Sequence, residues 1–304
     1  MKKIDFHVHI LDQIPLEETA KNFSDMCLRK GYEGVVIQSL FHATNEADPL
    51  CNEKALKLIK MLPHSYAFAS VSYDGDFVEQ AKEYIAQGFS GIKLLNGKPT
   101  EYKYSGLGLE HERFAPLFAF CEKEQFPILI HNNDPAASWD ITKATKRAIE
   151  KGWVYDETFP THEFLFEALE GVLARFPNLR VAIAHLGFYS NDLDRADALL
   201  ERYPNLYFDV TPALIIYTEL SSTPARSEAF FKKYHDRLIY GTDADNNLVG
   251  EVRAYNDLKT EIITHFFEGE GVREIGGYRI CPIKLEDHML ENIYYNNAKR
   301  FMKH

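Results

Sequence analysis

The sequence predicts an α/β fold in which eight parallel strands close into a (β/α)8 barrel, the TIM barrel, with helices packed outside. Short apolar runs alternate along the chain with amphipathic helical stretches, which is the pattern of a parallel sheet. The length of 304 residues suits one such barrel. A doubly wound open sheet is the alternative, but no glycine-rich turn follows the first run, so dinucleotide binding is not supported.

Eight apolar runs are candidate strands. They span residues 3–10, 34–40, 66–73, 91–95, 127–132, 180–186, 206–212 and 237–244. Among the helices between them, 76–88 stops at Gly88, and 162–177 follows Thr161, a candidate N-cap. A last helix is expected over 285–302. With no repeat and no linker in the sequence, we expect one domain over residues 1–304.

Two connections are longer than a barrel needs. Residues 133–160 follow the fifth strand, and a loop of this length is usually functional or a lid. Residues 267–284 are rich in glycine and precede the last helix.

Composition excludes several classes of protein. The formal net charge of −11 argues against nucleic-acid binding, and no apolar run is long enough to span a bilayer. The four cysteines are far apart and no signal peptide is evident, so we expect reduced thiols and a cytoplasmic location. We expect a small-molecule substrate, and a homo-oligomer because 21 Phe and 17 Tyr exceed what a core requires.

The first predicted strand carries two histidines on one face. Because side chains alternate across a strand, Asp5, His7 and His9 share a face. The other face carries Ile4, Phe6, Val8 and Ile10. We expect the apolar face to pack under the helices and the histidine face to point into the barrel. Two buried imidazoles are hard to satisfy in a packed core, whereas a metal ion satisfies one nitrogen of each.

Three further strands end in residues that can bind metal. His131 ends the fifth strand, His185 the sixth and Asp243 the eighth. The carboxyl ends of barrel strands meet at one rim, so these side chains should converge with the first-strand histidines. Imidazoles and a carboxylate are typical ligands of a divalent ion such as zinc. The alternative is a set of unrelated polar strand ends. His42, after the second strand, is a weaker rim candidate.

At these residues the sequence resembles the amidohydrolase superfamily of metal-dependent barrels. DFHVH, His131, His185 and Asp243 match its metal-site series in order. The runs FSGIKLL, FPILIHN, FPNLRVAIAHLG, YPNLYFDVTP, RLIYGTDAD and NIYYNNAKRFM together resemble the second amidohydrolase family, from residue 3 to about 302. One departure is GIKLLNGKP, where many relatives have GIKLHP. Leu95 replaces the expected polar residue, so the pocket wall differs there.

The resemblance implies one divalent ion, zinc with manganese as the alternative, held by His7, His9, His131 and Asp243. His185 would stand beside the ion as acid, base or electrostatic partner. Members of this branch include decarboxylases and a lactonase, so the resemblance does not identify a substrate.

Two reactions are open to such a site. A hydrolase would activate water on the metal for attack on a lactone, ester or amide, with Asp243 accepting the water proton and His185 stabilising the oxyanion. A nonoxidative decarboxylase would use the ion to hold a small unsaturated or aromatic carboxylic acid, and would protonate the carbon that loses CO2. Hydrolysis is our prediction and decarboxylation the alternative.

Two basic residues are candidate substrate-binding groups. Lys93 lies in the middle of the fourth strand and is not easily buried unpaired. In the favoured interpretation, Lys93 binds a substrate carboxylate. In the second interpretation it forms an ion pair with Asp5 or Asp243, and in the third it is carboxylated and bridges two metal ions. Arg147 lies in the 133–160 connection and can close over the pocket, although an ordinary surface role is the simpler explanation.

Two other hypotheses fit less well. A phosphoesterase of the polymerase-and-histidinol-phosphatase type also opens with HxH, but it uses extra His, Glu and Asp ligands that this sequence does not place at strand ends. A noncatalytic barrel that binds a ligand or partner would not need the full set of metal ligands.

Overall fold

A parallel sheet of nine strands forms the centre of the molecule. The computed structural model describes residues 1–11, 13–40 and 50–303. The strands are β1 Lys3–His9, β2 Tyr32–Gln38, β3 Tyr66–Ser70, β4 Gly91–Gly97, β5 Ile128–Asn132, β6 Val181–Ile183, β7 Leu206–Asp209, β8 Leu238–Ile239 and β9 Ala244–Asp245. Their order in the sheet is β8-β7-β6-β5-β4-β3-β2-β1-β9, so each strand from β1 to β8 lies beside the next one in sequence, and β9 lies beside β1.

Helices connect the strands. They are α1 Leu16–Lys30, α2 Leu50–Met61, α3 Phe77–Gln87, α4 Pro99–Ser105, α5 Phe114–Glu124, α6 Lys146–Glu150, α7 His162–Arg175, α8 Leu193–Arg202, α9 Leu214–Ser222, α10 Pro224–Tyr234, α11 Gly250–Glu268, α12 Asp287–Glu291 and α13 Asn297–Phe301. A π-helical turn, Asn292–Asn296, interrupts the predicted last helix. Within the described ranges, no helix combines the length and the apolar character that crossing a bilayer demands.

Both helices whose ends were predicted are confirmed. α3 follows Asp76, whose side chain accepts hydrogen bonds from two backbone N–H groups, and it ends at Gly88 with a left-handed φ of 92°. α7 follows Thr161, whose hydroxyl accepts a hydrogen bond from the Phe164 N–H. The 133–160 connection contains a short 3-10 helix and α6. The 267–284 connection contains a hairpin that was not predicted, β10 Arg273–Ile275 with β11 Tyr278–Ile280.

The barrel closes at an interrupted eighth strand. β8 pairs with β7 and β9 pairs with β1, so both edges of the sheet meet within the predicted eighth strand and the residue after it. Backbone hydrogen bonds from Phe6 N to Tyr240 O (3.0 Å) and from Asp243 N to His7 O (2.8 Å) join the edges. Asp243 interrupts the strand because its φ is 55°. The predicted barrel is confirmed, and the junction of β1 with residues 238–245 is called the seam below.

Side chains also cross the seam. Asp5, which was expected to point inward beside His7, instead accepts hydrogen bonds from Thr242 N (2.9 Å) and Thr242 Oγ1 (2.6 Å). Beside the seam, the hydroxyl oxygens of Tyr240 and of Tyr32 on β2 lie 2.6 Å apart. The seam is therefore held by buried polar contacts as well as by backbone pairing.

Two apolar cores lie on opposite faces of the sheet. The larger core fills the space between the strands and the helices, whereas the smaller one lies inside the barrel. Phe301 of α13 enters the smaller core, with its ring centroid 5.7 Å from that of Phe6 and 6.3 Å from that of Phe68. The C-terminal helix thus plugs the barrel below the rim that carries the histidines.

The predicted facing of β1 is wrong in its first half. Ile4 and Phe6 lie in the core inside the barrel, whereas Val8 lies in the outer core as expected. The pairing of β1 with β2 is irregular between Asp5 and Val8, where β1 holds an extra residue. Such a bulge reverses the alternation of side chains, which is why the inward histidines can follow an inward phenylalanine.

Candidate active site

Three predicted ligand residues meet at the carboxyl end of the barrel. His7 and His9 lie at the end of β1, and Asp243 lies between β8 and β9. Their ligand atoms are all within 4.8 Å of one another. His7 Nε2 and His9 Nε2 are 3.0 Å apart, and His9 Nε2 lies 3.2 Å from Asp243 Oδ1. Closure of the seam therefore assembles this three-residue cluster.

The other ring nitrogens fix the protonation of both histidines. His9 Nδ1 lies 3.0 Å from the carbonyl oxygen of Gln38, and His7 Nδ1 lies 2.7 Å from Asp209 Oδ2. Both partners accept, so both Nδ1 atoms carry hydrogen and a neutral ring has its lone pair on Nε2. Burial, together with the charge of Lys93, holds the pKa of His7 well below its ordinary value. Two lone pairs and a carboxylate oxygen that face one another suit a cation among them, so this donor set fits a divalent ion.

Asp209 is a site residue that the sequence analysis missed. It ends β7 and is fully buried. Its Oδ1 accepts hydrogen bonds from His185 N (2.8 Å) and Thr211 N (3.1 Å), while Oδ2 accepts from His7 Nδ1. A carboxylate in this position orients a metal-binding imidazole and fixes its tautomer. The predicted seventh strand, 206–212, continued past Asp209, so the residue did not stand out as a strand end, although its position directly after the apolar run 206–208 was a usable signal.

His185 lies beside the cluster on a left-handed segment. Residues 185–188 have φ angles of 52–59°, and the His185 ring centroid is 5.4 Å from that of His7. His185 Nδ1 lies 3.2 Å from the carbonyl oxygen of Thr211, so Nδ1 donates and Nε2 carries the lone pair. Burial and the neighbouring His131 lower the pKa of His185 to about 4. This ring is therefore neutral near pH 7, with an unprotonated Nε2.

His131, the fourth predicted ligand, lies outside the three-residue cluster. Its ring centroid is 4.9 Å from that of His185. Its Nε2 lies 3.0 Å from the carbonyl oxygen of Asn133 and 3.5 Å from Asp134 Oδ1, so Nε2 donates. Burial and the charge of Lys98 lower the pKa of His131 to about 4. Binding of a shared ion by His131 would therefore use Nδ1 or require rotation of the ring.

Lys93 places a buried amine against the cluster. The residue is 1% exposed, and its Nζ lies 3.4 Å from His7 Nε2. Among the residues that the structure describes, no carboxylate is within 4.0 Å of this amine, so the alternative ion pair with Asp5 or Asp243 is not formed. Burial lowers the pKa of Lys93 to about 8, against the charges of Asp209 and Asp243.

A cavity of about 770 Å³ adjoins the cluster. Every predicted site residue except His7 lines it, and its aromatic wall consists of Trp153, Phe188, Tyr255 and Tyr278. The Arg147 guanidinium is exposed and lies 4.8 Å from the ring centroid of Tyr255 and 6.0 Å from that of Trp153. The size and the mixed lining are those of a small-molecule site.

The lining is basic although the chain is acidic. Five cationic side chains face three carboxylates, namely Lys93, Lys98, Lys146, Arg147 and Arg279 against Asp134, Asp243 and Glu274. The formal net charge of the whole chain is −11. A cavity whose charge opposes that of the surrounding protein favours entry of anionic molecules.

A buried ion pair fastens the 133–160 connection to the cavity wall. Lys98, which follows β4, donates to Asp134 at 2.7 and 3.0 Å, and the Tyr155 hydroxyl donates to the same carboxylate. The Lys98 amine also lies 4.5 Å from the ring centroid of Trp153. Burial raises the pKa of Asp134, but the charges and hydrogen bonds of Lys98 and His131 together outweigh it and hold that pKa well below its ordinary value. Lys98 was not predicted as a site residue.

The hairpin β10–β11 also borders the cavity. Its turn is formed by Gly276 and Gly277, with φ angles of 58° and 85°, and Tyr278 and Arg279 follow on the cavity side. No site residue was predicted in this segment. His42, the weaker rim candidate, lies outside the described residues.

Several solved structures share this architecture. A 2,6-dihydroxybenzoate decarboxylase from Rhizobium is 14% identical with a TM-score of 0.61, and the match covers 99% of this chain and 98% of that chain. A dihydroxybenzoic acid decarboxylase from Polaromonas sp. JS666, with bound manganese and the inhibitor 2-nitroresorcinol, is 12% identical with a TM-score of 0.60, covering 99% and 96%. A dihydroorotase from Campylobacter jejuni is 15% identical with a TM-score of 0.53, covering 98% and 82%. At these identities the likeness shows the fold.

The family comparison goes further than the fold. No curated protein matches the sequence. The model of the second amidohydrolase family, described as amidohydrolase, matches residues 4–303. This match spans nearly the whole chain and includes the seam and every strand end described above. The chain therefore belongs to the second amidohydrolase family, which is a family of enzymes.

Proposed function

We propose that the protein is a metal-dependent hydrolase that cleaves a small-molecule lactone, ester or amide with a metal-activated water. One observation carries the proposal: the Nε2 lone pairs of His7 and His9 converge with a carboxylate oxygen of Asp243 beside a cavity of about 770 Å³. Membership of an enzyme family supports catalysis at this place.

His7, His9 and Asp243 would hold one divalent ion, with His131 as the fourth ligand that we propose. Imidazole and carboxylate ligands fit zinc, and manganese is the alternative. The bound manganese of the Polaromonas decarboxylase supports keeping that alternative. A divalent ion bound here supplies Lewis acidity, which polarises a carbonyl and lowers the pKa of water.

The surrounding residues would move the proton and hold the substrate. The Asp243 carboxylate would accept the proton of the attacking water and pass it to the leaving group. His185 Nε2 could accept that proton in turn, because its Nδ1–H is held by the carbonyl of Thr211. Lys93, at the inner end of the cavity, and Arg147, at its wall, would bind a negatively charged group of the substrate.

Decarboxylation of a small unsaturated or aromatic acid is the second candidate. The excess of cationic side chains in the cavity favours it, since a carboxylate is then the group to be bound. In that reaction the carbon–carbon bond to the carboxylate breaks, CO2 leaves, and the carbon takes up a proton that would come from solvent water and be passed on by Asp243 or His185. Two of the similar structures are decarboxylases, which supports testing acids beside lactones.

The experiment begins with metal content. Protein purified without added metal is measured by mass spectrometry beside an Asp243→Ala variant, and we expect about one equivalent in the native chain and less in the variant. The loaded protein is then given lactones, esters and aromatic acids, with proton release and CO2 release recorded in parallel. Proton release without CO2 supports hydrolysis, and CO2 release supports the second candidate. A native chain that binds neither zinc nor manganese would refute both.

We also propose a homo-oligomer, on the aromatic content of the chain. Sedimentation velocity tests it directly, and a single monomeric species would contradict it.

A further inference from the structure

Lys259 is a buried cation that the proposed chemistry does not use. It lies in the middle of α11 and is 2% exposed. A lysine is seldom buried to this extent unless its amine has a definite partner. Its Nζ donates a hydrogen bond to the backbone carbonyl oxygen of Asp243 at 2.7 Å.

The partner is a backbone atom, so the hydrogen bond of Lys259 does not involve the side chain of Asp243. Among the residues that the structure describes, no carboxylate forms an ion pair with Lys259 within 4.0 Å. The carboxylates of Asp5, Asp243 and Asp245 are nevertheless close enough to act on its charge. The amine therefore sits in a negatively charged region while its hydrogen bond is directed at the peptide group.

That peptide group is in an uncommon conformation. Asp243 has a φ of 55°, in the left-handed region that residues with a Cβ rarely adopt. Its N–H donates to the His7 carbonyl oxygen at 2.8 Å, and its own carbonyl accepts from Lys259. A hydrogen bond to β1 therefore fixes the Asp243 N–H, and a hydrogen bond from α11 fixes its carbonyl oxygen. The direction of the Asp243 carboxylate depends on this conformation.

We propose that Lys259 is a positioning residue that holds the backbone of Asp243 so that its carboxylate faces His9. The proposal rests on the proposed function, because it assigns Asp243 to a metal ion. Lys259 does not line the cavity and lies within hydrogen-bond distance of none of the three ligand atoms, so its direct contact with the site is the hydrogen bond to the Asp243 peptide, while its charge acts on the Asp243 carboxylate from a greater distance.

The test compares Lys259→Met and Lys259→Arg with the native chain. Methionine keeps the apolar stem and removes the donor, whereas arginine keeps a cationic donor. We expect K259M to weaken zinc affinity by about 10–100-fold, the usual effect of losing a residue that orients a ligand, and K259R to recover part of it. Affinity is read as a dissociation constant in competition with a chelating dye, and kcat and KM are measured on any substrate found.

A matched control separates positioning from general stability. Phe267→Leu alters a fully buried apolar residue of the same helix. It should lower the melting temperature without weakening zinc affinity, whereas K259M should weaken affinity beyond any loss of stability. Equal zinc affinity in folded K259M and native protein would overturn the proposal. K259M protein that stays unfolded with saturating zinc, while K259R folds, would assign Lys259 to the fold and also overturn it.

The native chain and D243A are measured in the same series. If the native chain binds no metal, the proposed function fails and this inference fails with it. If the native chain binds zinc, D243A does not and K259M binds normally, only the inference about Lys259 fails.

Discussion

Replacing Asp209 by asparagine should weaken metal binding with little change in shape. Asparagine is nearly isosteric, and its oxygen can keep the two hydrogen bonds that Asp209 Oδ1 accepts from His185 N (2.8 Å) and Thr211 N (3.1 Å). Its NH2 group then faces His7 Nδ1, which lies 2.7 Å from Oδ2 in the native chain. Two donors would oppose each other, so the imidazole proton would move to Nε2 and remove the lone pair that faces His9.

The magnitude follows from that change of tautomer. Loss of a carboxylate that orients a metal-binding histidine typically costs about 10–100-fold in affinity, which is about 1.4–2.7 kcal/mol. The assay is the zinc dissociation constant in competition with a chelating dye. Circular dichroism checks that D209N is folded, and Asp194→Asn, at a side chain that is 89% exposed, is the matched control. D209N protein that is folded and binds zinc as tightly as the native chain would refute the assignment of tautomers.

Two further predictions concern stability. Phe301→Ala empties the centre of the core inside the barrel and should cost about 3–5 kcal/mol, seen as a lower urea midpoint; an unchanged midpoint would show that α13 does not plug the barrel. Lys98→Met leaves the charge of Asp134 buried without its ion-pair partner and should cost about 3–5 kcal/mol. The double variant K98M/D134N removes that charge and should regain part of the loss, and a double variant no more stable than K98M would contradict this account.

Local patterns predicted the strands and most of the candidate site. Strand-forming runs are read from neighbours in sequence, and His9, His131, His185 and Asp243 each end or follow such a run, so a parallel barrel must bring them to one rim. The stop of α3 at Gly88 and the start of α7 after Thr161 were predicted for the same reason, since both residues act on the helix residues next to them.

What escaped prediction depends on contacts between distant segments. The extra residue in β1 shows only when β2 pairs with it, so the facing of Ile4 and Phe6 was wrong. Lys98 and Asp134 are 36 positions apart, and nothing local links them. The hairpin is different, because Gly276 and Gly277 between two short β-prone runs are a usable local signal that was not used.

The seam has a consequence for how the chain folds. The Asp5–Thr242 hydrogen bonds join residues 237 positions apart, and the same junction carries His7, His9 and Asp243. Contacts of such high sequence separation form late, because the entropy cost of closing a long loop comes before the favourable energy of the contacts. The proposed ion would therefore bind only after the barrel has closed at the seam, and would slow the separation of β1 from residues 238–245. The time course of metal binding during refolding would then report when the barrel closes. Removal of the ion should expose the amides of β1 and β9 to hydrogen exchange before those of β4 and β5.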